Sequence, residues 1–130
     1  MALTADRNTV HKFGELIEVP MATGKKVYAG GIVAADANGY ATPGATATTL
    51  TYLGRAEQTV NNTGGNGALT VIVRRKNIFK WKNSGTDAVV QADLGKSCYI
   101  EDDQTVSRTS TGKSIAGKVL GIDTDGVWIE

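Results

Sequence analysis

Turn-forming residues recur at short intervals along the whole chain, and they leave only short segments between them. Glycine occurs 16 times in 130 residues, while proline occurs only twice. Several glycines directly follow a small polar residue, as in Asn38-Gly39, Ser84-Gly85 and Asp125-Gly126. Such pairs favour tight turns because glycine and asparagine tolerate positive φ angles. The spacing therefore predicts a chain built from short β-strands.

The segment over residues 78–82 has the alternation that is typical of a strand. Phe79 and Trp81 alternate with Lys80 and Lys82. Successive side chains of a strand point to opposite faces, so the aromatic rings are predicted to face the core and the lysines to face solvent.

Two further segments support the same interpretation. Residues 69–75 alternate in a way that predicts Leu69, Val71 and Val73 on the inner face. Residues 26–35 carry small or apolar side chains on both faces, as expected for a strand that is covered on both sides. We therefore predict an all-β fold, a small partly closed β-barrel or sandwich of about eight to ten short strands.

Three stretches do not fit a strand. Residues 1–14 are polar and lack periodicity, which predicts an extended N-terminal arm ahead of a single β domain over residues 15–130. Residues 61–67 (NNTGGNG) predict a mobile, exposed loop. Residues 90–94 (VQADL) predict one helical turn.

A chain of 130 residues is about the size of one domain and can bury a core without a disulfide or a metal.

The charge balance limits the partners that the protein is expected to have. The chain has fourteen lysines and arginines and thirteen aspartates and glutamates. Because binding to duplex nucleic acid normally needs a clear basic excess, we expect no nucleic-acid partner. No apolar run approaches the ~20 residues of a membrane helix, and the first 13 residues do not resemble a secretory signal. We therefore expect no membrane partner and synthesis in a cytoplasm.

The residues that could carry out chemistry stand alone in the sequence. Cys98, the only cysteine, lies in an apolar stretch and is predicted to behave as a small buried hydrophobic residue. His11, the only histidine, has no nucleophile or orienting carboxylate near it in the sequence. We therefore expect no catalytic residue, and an interpretation of the protein as an enzyme is not favoured.

Two short motifs imitate ligand sites, but neither is complete. Residues 111–114 (TGKS) match the end of a phosphate-binding loop, yet Ser107 stands where that motif needs a glycine, and residues 115–122 predict a strand in place of the required helix. The acidic residues at 101–103 and 123–126 lack the rest of a calcium-binding loop and fit ordinary turn chemistry. We expect no cofactor and no metal.

One segment concentrates positive charge. Between residues 71 and 86 there are five cations and no anion. They are Arg74, Arg75, Lys76, Lys80 and Lys82. One interpretation is a docking face for an acidic surface on a partner or a sister subunit. The alternative is a solvated strand face, whose charges prevent strand-to-strand aggregation.

The N-terminal arm supplies the second candidate contact region. Its apolar side chains Leu3, Val10 and Phe13 are too few to form a core of their own, but they can fill pockets on a neighbouring molecule. With Arg7 and His11 they complete the set of residues that we expect at an interface with the partner or with another subunit.

Several motifs together resemble a known group of proteins. These are the opening MALTADRNT with Phe13-Gly14, VYAGG at residues 27–31, ANGY at 37–40, LGRA at 53–56, GALTV at 67–71, the basic segment, QADLGK at 91–96 and AGKVLG at 116–121. The chain resembles, over nearly its full length, the small phage head proteins called capsid decoration or cement proteins. The motifs are structural glycines and strand alternation, without invariant functional groups.

The resemblance implies a non-enzymatic virion protein, made in the host cytoplasm and placed on the exterior of the phage head. There it would lock neighbouring subunits of the major capsid protein against the internal DNA pressure, often as a homotrimer. The alternative is a receptor- or carbohydrate-binding β module of a phage fibre. Such a module needs exposed aromatic side chains, for which the candidates are Tyr40, Tyr52, Trp81 and Trp128.

Overall fold

The computed structural model describes all residues, 1–130, and it is all-β, as predicted. The strands are β1 (Leu16–Pro20), β2 (Lys26–Val27), β3 (Ile32–Ala35), β4 (Ala41–Pro43), β5 (Thr51–Ala56), β6 (Val60–Asn61), β7 (Thr70–Arg74), β8 (Phe79–Asn83), β9 (Ser97–Ile100), β10 (Thr105–Ser107), β11 (Ile115–Asp123) and β12 (Gly126–Ile129). One 3₁₀ turn covers Gln91–Asp93, within the residues predicted to form a helical turn.

The strand number, twelve, exceeds the eight to ten that the turn spacing predicts. Residues 26–35 form two strands because Gly30, with a φ of 86°, turns the chain between β2 and β3. In addition, β6 begins just before the predicted loop at 61–67 and pairs with β2.

The first part of the chain builds an open sheet. Its strand order is β1-β7-β5-β3-β4, and all neighbours are antiparallel. A register shift interrupts the pairing of β3 with β5, where Val33 lies opposite Gly54 and Ala34 lies opposite Tyr52. The short β2-β6 pair is separate from this sheet.

The second part of the chain builds a closed barrel of five strands in the order β10-β8-β12-β11-β9. Only the pair between β10 and β8 is parallel. The side chains of β8 alternate as predicted, since Phe79 and Trp81 are buried while Lys80 and Lys82 are exposed. The predicted barrel or sandwich is therefore a closed barrel joined to an open sheet.

Strand β3 contributes to both hydrophobic cores. Ile32 and Ala34 belong to the barrel cluster of twelve buried residues, whereas Val33 belongs to the sheet cluster of seven. All three side chains are at most 1% exposed. For these residues the prediction of a strand that is covered on both sides is confirmed.

Two predictions about burial are wrong. Leu69 is 46% exposed, because β7 begins one residue later, at Thr70, and the inward alternation covers only Val71 and Val73. Asn62, placed by the sequence in an exposed loop, is fully buried and bonds to the backbone of the neighbouring loop. No helix in the structure is long and apolar enough to cross a membrane.

Candidate interaction surface

The N-terminal arm lies outside the hydrogen-bonded body of the protein. No strand includes residues 1–14, and the first backbone bond that fixes the chain is the one from the Arg75 N–H to the Glu15 carbonyl, at 2.8 Å. The apolar side chains of the arm are far from buried, with exposures of 73% at Leu3, 91% at Val10 and 98% at Phe13. Arg7 and His11 are also exposed. The arm therefore presents all five of its predicted interface residues to solvent.

The five cations of the basic segment do not share one strand. Arg74 ends β7 in the open sheet, while Lys80 and Lys82 lie on β8 in the barrel. Arg75 and Lys76 lie in the connector between these two strands, over residues 75–78. The basic segment therefore spans the end of one strand, a connector and the next strand, because the chain passes from the sheet to the barrel within it.

Arg74 is occupied by partners within the chain. Its Nη1 contacts Glu15, and its Nε lies 3.2 Å from Glu57 Oε1. Glu57 also accepts from Arg55 at 2.8 Å, so these charges link the chain just before β1 with β5 and β7. A hydrogen bond from Asn77 and the ion pair with Arg74 hold the pKa of Glu15 below its usual range. Arg74 is thus part of the sheet's own charge pairing, and its reversal would disturb the sheet.

Lys80 also has partners within the chain. Its Nζ lies 3.0 Å from Asp125 Oδ1 and 5.5 Å from the centre of the Trp128 ring. The lysine lowers the pKa of Asp125 by a hydrogen bond and by its charge. Trp128 in turn donates its indole N–H to Asp123, at 2.8 Å. These contacts link β8 to the turn and the last strand of the β11–β12 hairpin.

Three cations of the segment are free. Arg75, Lys76 and Lys82 are exposed and take part in no ion pair. Lys76 is the only residue other than glycine with a positive φ, at 60°. Its Nζ lies close to Gly14, 3.0 Å from the place that a Cβ on Gly14 would take. The free cations of the connector therefore lie at the base of the arm.

A cleft that the sequence did not predict lies beside these cations. It has a volume of about 700 Å³ and lies where the sheet meets the barrel. Ile17 and Leu53 of the sheet line it, together with Ile78 of the connector and Phe79 of the barrel. Arg75 and Lys76 form part of its wall. We call this feature the junction cleft. Its residues are widely separated in the sequence, so only the fold brings them together.

The other sequence candidates are used inside the protein. Cys98 is 1% exposed, as predicted, and burial raises the pKa of its thiol to about 11. Lys113 of the TGKS motif donates to Ser107 at 2.8 Å and lies 3.4 Å from Asp87, and β11 follows the motif as predicted. No three or more His, Cys, Asp and Glu side chains come together in an arrangement that would hold a metal ion.

The aromatic side chains that a carbohydrate site would need are mostly covered. Trp81 is 5% exposed and donates its indole N–H to the half-buried Tyr52. Tyr40 is half-buried, and Trp128, at 38% exposure, has Lys80 over its ring. These four rings do not form a shared exposed platform.

Comparison with known proteins gives no relative for this chain. No family model, no curated protein and no solved structure matches it.

Proposed function

We propose that this protein is a non-enzymatic structural component of a phage head, which binds the outside of the shell and stabilises the lattice of the major capsid protein. It would be made in the host cytoplasm and end in the virion. The sequence resemblance to decoration proteins motivates this proposal, and the exposed arm carries it. An arm that has three exposed apolar side chains and no strand pairing is suited to bind a neighbouring molecule.

The body of the protein suits the same role. The body has two buried cores and a closed barrel, and the arm begins beside the free cations of the connector. On a shell the same modest contacts are repeated over many copies, so multivalency replaces high affinity at a single site. Charged side chains at the rim of such a contact mainly raise the association rate and select the partner.

We further propose that the protein acts as a homotrimer. A cyclic trimer matches the symmetry of the threefold and quasi-threefold positions of an icosahedral shell. Light scattering is expected to give a mass three times that of one chain, either in solution or after release from heads. A monomer under both conditions would contradict the trimer without touching the proposed attachment.

Removal of the arm tests the function. Phage heads that lack the protein are mixed with the intact protein or with a variant that lacks residues 2–13, and the bound fraction is measured by co-sedimentation. We expect the shortened protein to keep its melting temperature, because the deleted residues belong to no strand, and to lose at least about tenfold in affinity.

A second variant keeps the length of the arm and tests whether its apolar side chains are responsible. In it, Leu3, Val10 and Phe13 are replaced by serine, which removes the exposed apolar surface but not the chain. We expect this triple variant to bind as weakly as the deletion. If heads bind the deletion variant with the same affinity as the intact protein, attachment by the arm is refuted.

A further inference from the structure

The junction cleft is lined by residues that belong to, or pack against, both hydrophobic cores of the protein. Its walls come from the sheet through Ile17 and Leu53, and from the barrel through Phe79, which is 8% exposed and part of the barrel core. Ile78, on the connector, is 50% exposed and also lines the cleft. An apolar side chain that entered the cleft would contact the half-exposed Ile78 and the partly buried Ile17 and Leu53.

The wall of the junction cleft carries two cations and one acidic side chain. Arg75 and Lys76 line the cleft without a carboxylate partner, while the neighbouring Arg74 is neutralised by Glu15 and Glu57. The only acidic side chain in the lining is that of Glu130, which also lines the second cleft, of about 550 Å³, on the side of β11. The end of the junction cleft near the connector thus carries the unpaired cations.

The backbone of the connector is held in one conformation at these cations. Lys76 has a φ of 60°, in the left-handed region that side chains other than glycine rarely adopt. Such a conformation persists only where the surroundings enforce it. Here the Arg75 N–H bonds the Glu15 carbonyl at 2.8 Å, and the Asn77 side chain bonds the Arg75 carbonyl at 2.9 Å. The backbone that carries the two cations is therefore held beside the cleft, while their side chains remain exposed.

The protein's own arm does not suit this cleft. It carries Arg7 and Lys12 against one carboxylate, Asp6, so it would bring a net positive charge to Arg75 and Lys76. Charge complementarity requires a segment that is acidic instead. A volume of about 700 Å³ lies within the usual range of ligand pockets and accommodates a large apolar side chain with its neighbours.

We propose that the junction cleft is the docking site for an acidic segment of the partner protein. An aliphatic or aromatic side chain of that segment lies between Ile17, Leu53 and Ile78, and an adjacent carboxylate pairs with Arg75 and Lys76. The identification of that partner as the major capsid protein rests on the proposed function. The chemistry of the cleft itself does not depend on it.

The first experiment measures binding to phage heads that lack the protein. The cleft variant carries both Arg75→Glu and Lys76→Glu. The control variant carries Lys25→Glu and Lys96→Glu, which make the same change in net charge at exposed lysines that do not line the cleft. We expect the cleft variant to lose about tenfold in affinity at low salt and the control to stay within about twofold. The difference should shrink near 1 M salt, where charges are screened within about 3 Å.

A third variant tests the apolar part of the cleft. Ile78→Ser removes exposed apolar surface and leaves the charges in place. We expect it to weaken binding to a similar extent at low and at high salt, since burial of apolar surface is not screened. The docking proposal is wrong if the intact protein binds heads and both the Arg75/Lys76 double variant and Ile78→Ser bind with the affinity of the control. The proposed function then stands.

The second experiment needs no phage. The ¹⁵N-labelled protein is titrated with a capped peptide that has leucine between two Asp-Glu pairs, and separately with the same peptide carrying lysine at the acidic positions. We expect amide shifts at Ile17, Leu53 and Ile78 with the acidic peptide only. Shifts elsewhere, equal shifts with both peptides, or no shifts would overturn the proposal. If the intact protein fails to bind heads, the proposed function fails and the titration alone decides the chemistry of the cleft.

Discussion

Trp81 donates its indole N–H to the hydroxyl oxygen of Tyr52 across a distance of 3.2 Å, and this bond joins the barrel to the open sheet. Trp81 lies on β8 and Tyr52 on β5. Burial raises the pKa of Tyr52 from about 10 to about 12. Because Tyr52 also lines the junction cleft, the same bond helps to fix the cleft's shape.

Replacement of Tyr52 by phenylalanine should destabilise the protein by about 1–2 kcal/mol. The change leaves the buried indole N–H of Trp81 without an acceptor, and an unsatisfied buried donor carries a desolvation penalty of this size. Urea unfolding measures the difference. The control is Tyr28→Phe, at a tyrosine that is 56% exposed, and its stability should match that of the unchanged protein. Equal stabilities of the two variants would show that the bond contributes nothing.

Asn62 should be among the most sensitive polar positions in the chain. Its side-chain N–H₂ donates to the carbonyls of Met21, Ala22 and Gly65, at distances of 3.0 to 3.2 Å. Asn62→Asp replaces this donor by an acceptor that faces the same oxygens, and we expect a loss of about 3 kcal/mol or more in the free energy of unfolding. Asn61→Asp, at an exposed neighbour, provides the control and should change stability by less than about 0.5 kcal/mol. Similar losses at both positions would contradict the observed bonding.

Gly54 should not tolerate a side chain. Its φ is 151°, and a Cβ at this position would lie 2.1 Å from the carbonyl oxygen of Arg74 on the neighbouring strand. Gly54→Ala therefore has to separate β5 from β7, and we expect a loss of several degrees in melting temperature or a failure to fold. Gly65→Ala is the matched control, since a Cβ there meets nothing within 4 Å. It should be neutral or slightly stabilising. A Gly54→Ala variant that melts with the control would refute the close approach of the two strands.

Cys98 should make the protein less stable at alkaline pH. Burial raises the pKa of its thiol from 9.0 to about 11, so the folded state holds this proton more tightly than the unfolded state does. The contribution of the protonated thiol to the free energy of unfolding is therefore fully present below pH 9 and is lost as the pH rises toward 11. The free energy of unfolding, measured at a series of pH values, should fall less steeply for Cys98→Ala over this window. Parallel curves for the two proteins, or rapid alkylation of native Cys98 at pH 8, would contradict the burial of the thiol.

Periodicity in the sequence was enough to predict the elements whose environment is set by their own pattern. The alternation at Phe79 and Trp81 and the two apolar faces of Ile32–Ala34 are both confirmed. The pairing of Arg74 with Glu15 joins residues 59 positions apart, so it depends on strand register, which the basic segment alone does not reveal. For the same reason the junction cleft, which joins Ile17 to Phe79, was not predicted. Asn62 was missed because a buried amide has the same sequence signature as an asparagine in a turn.

Electron cryo-microscopy of phage heads tests the proposed function most directly. Reconstructions are compared for heads that lack the protein and for the same heads after addition of it. We predict difference density on the outer surface at threefold or quasi-threefold positions, with residues 1–14 in contact with the major capsid protein and the junction cleft filled by an acidic segment of that protein. The absence of difference density on the shell, or density confined to a tail or fibre, would contradict the account.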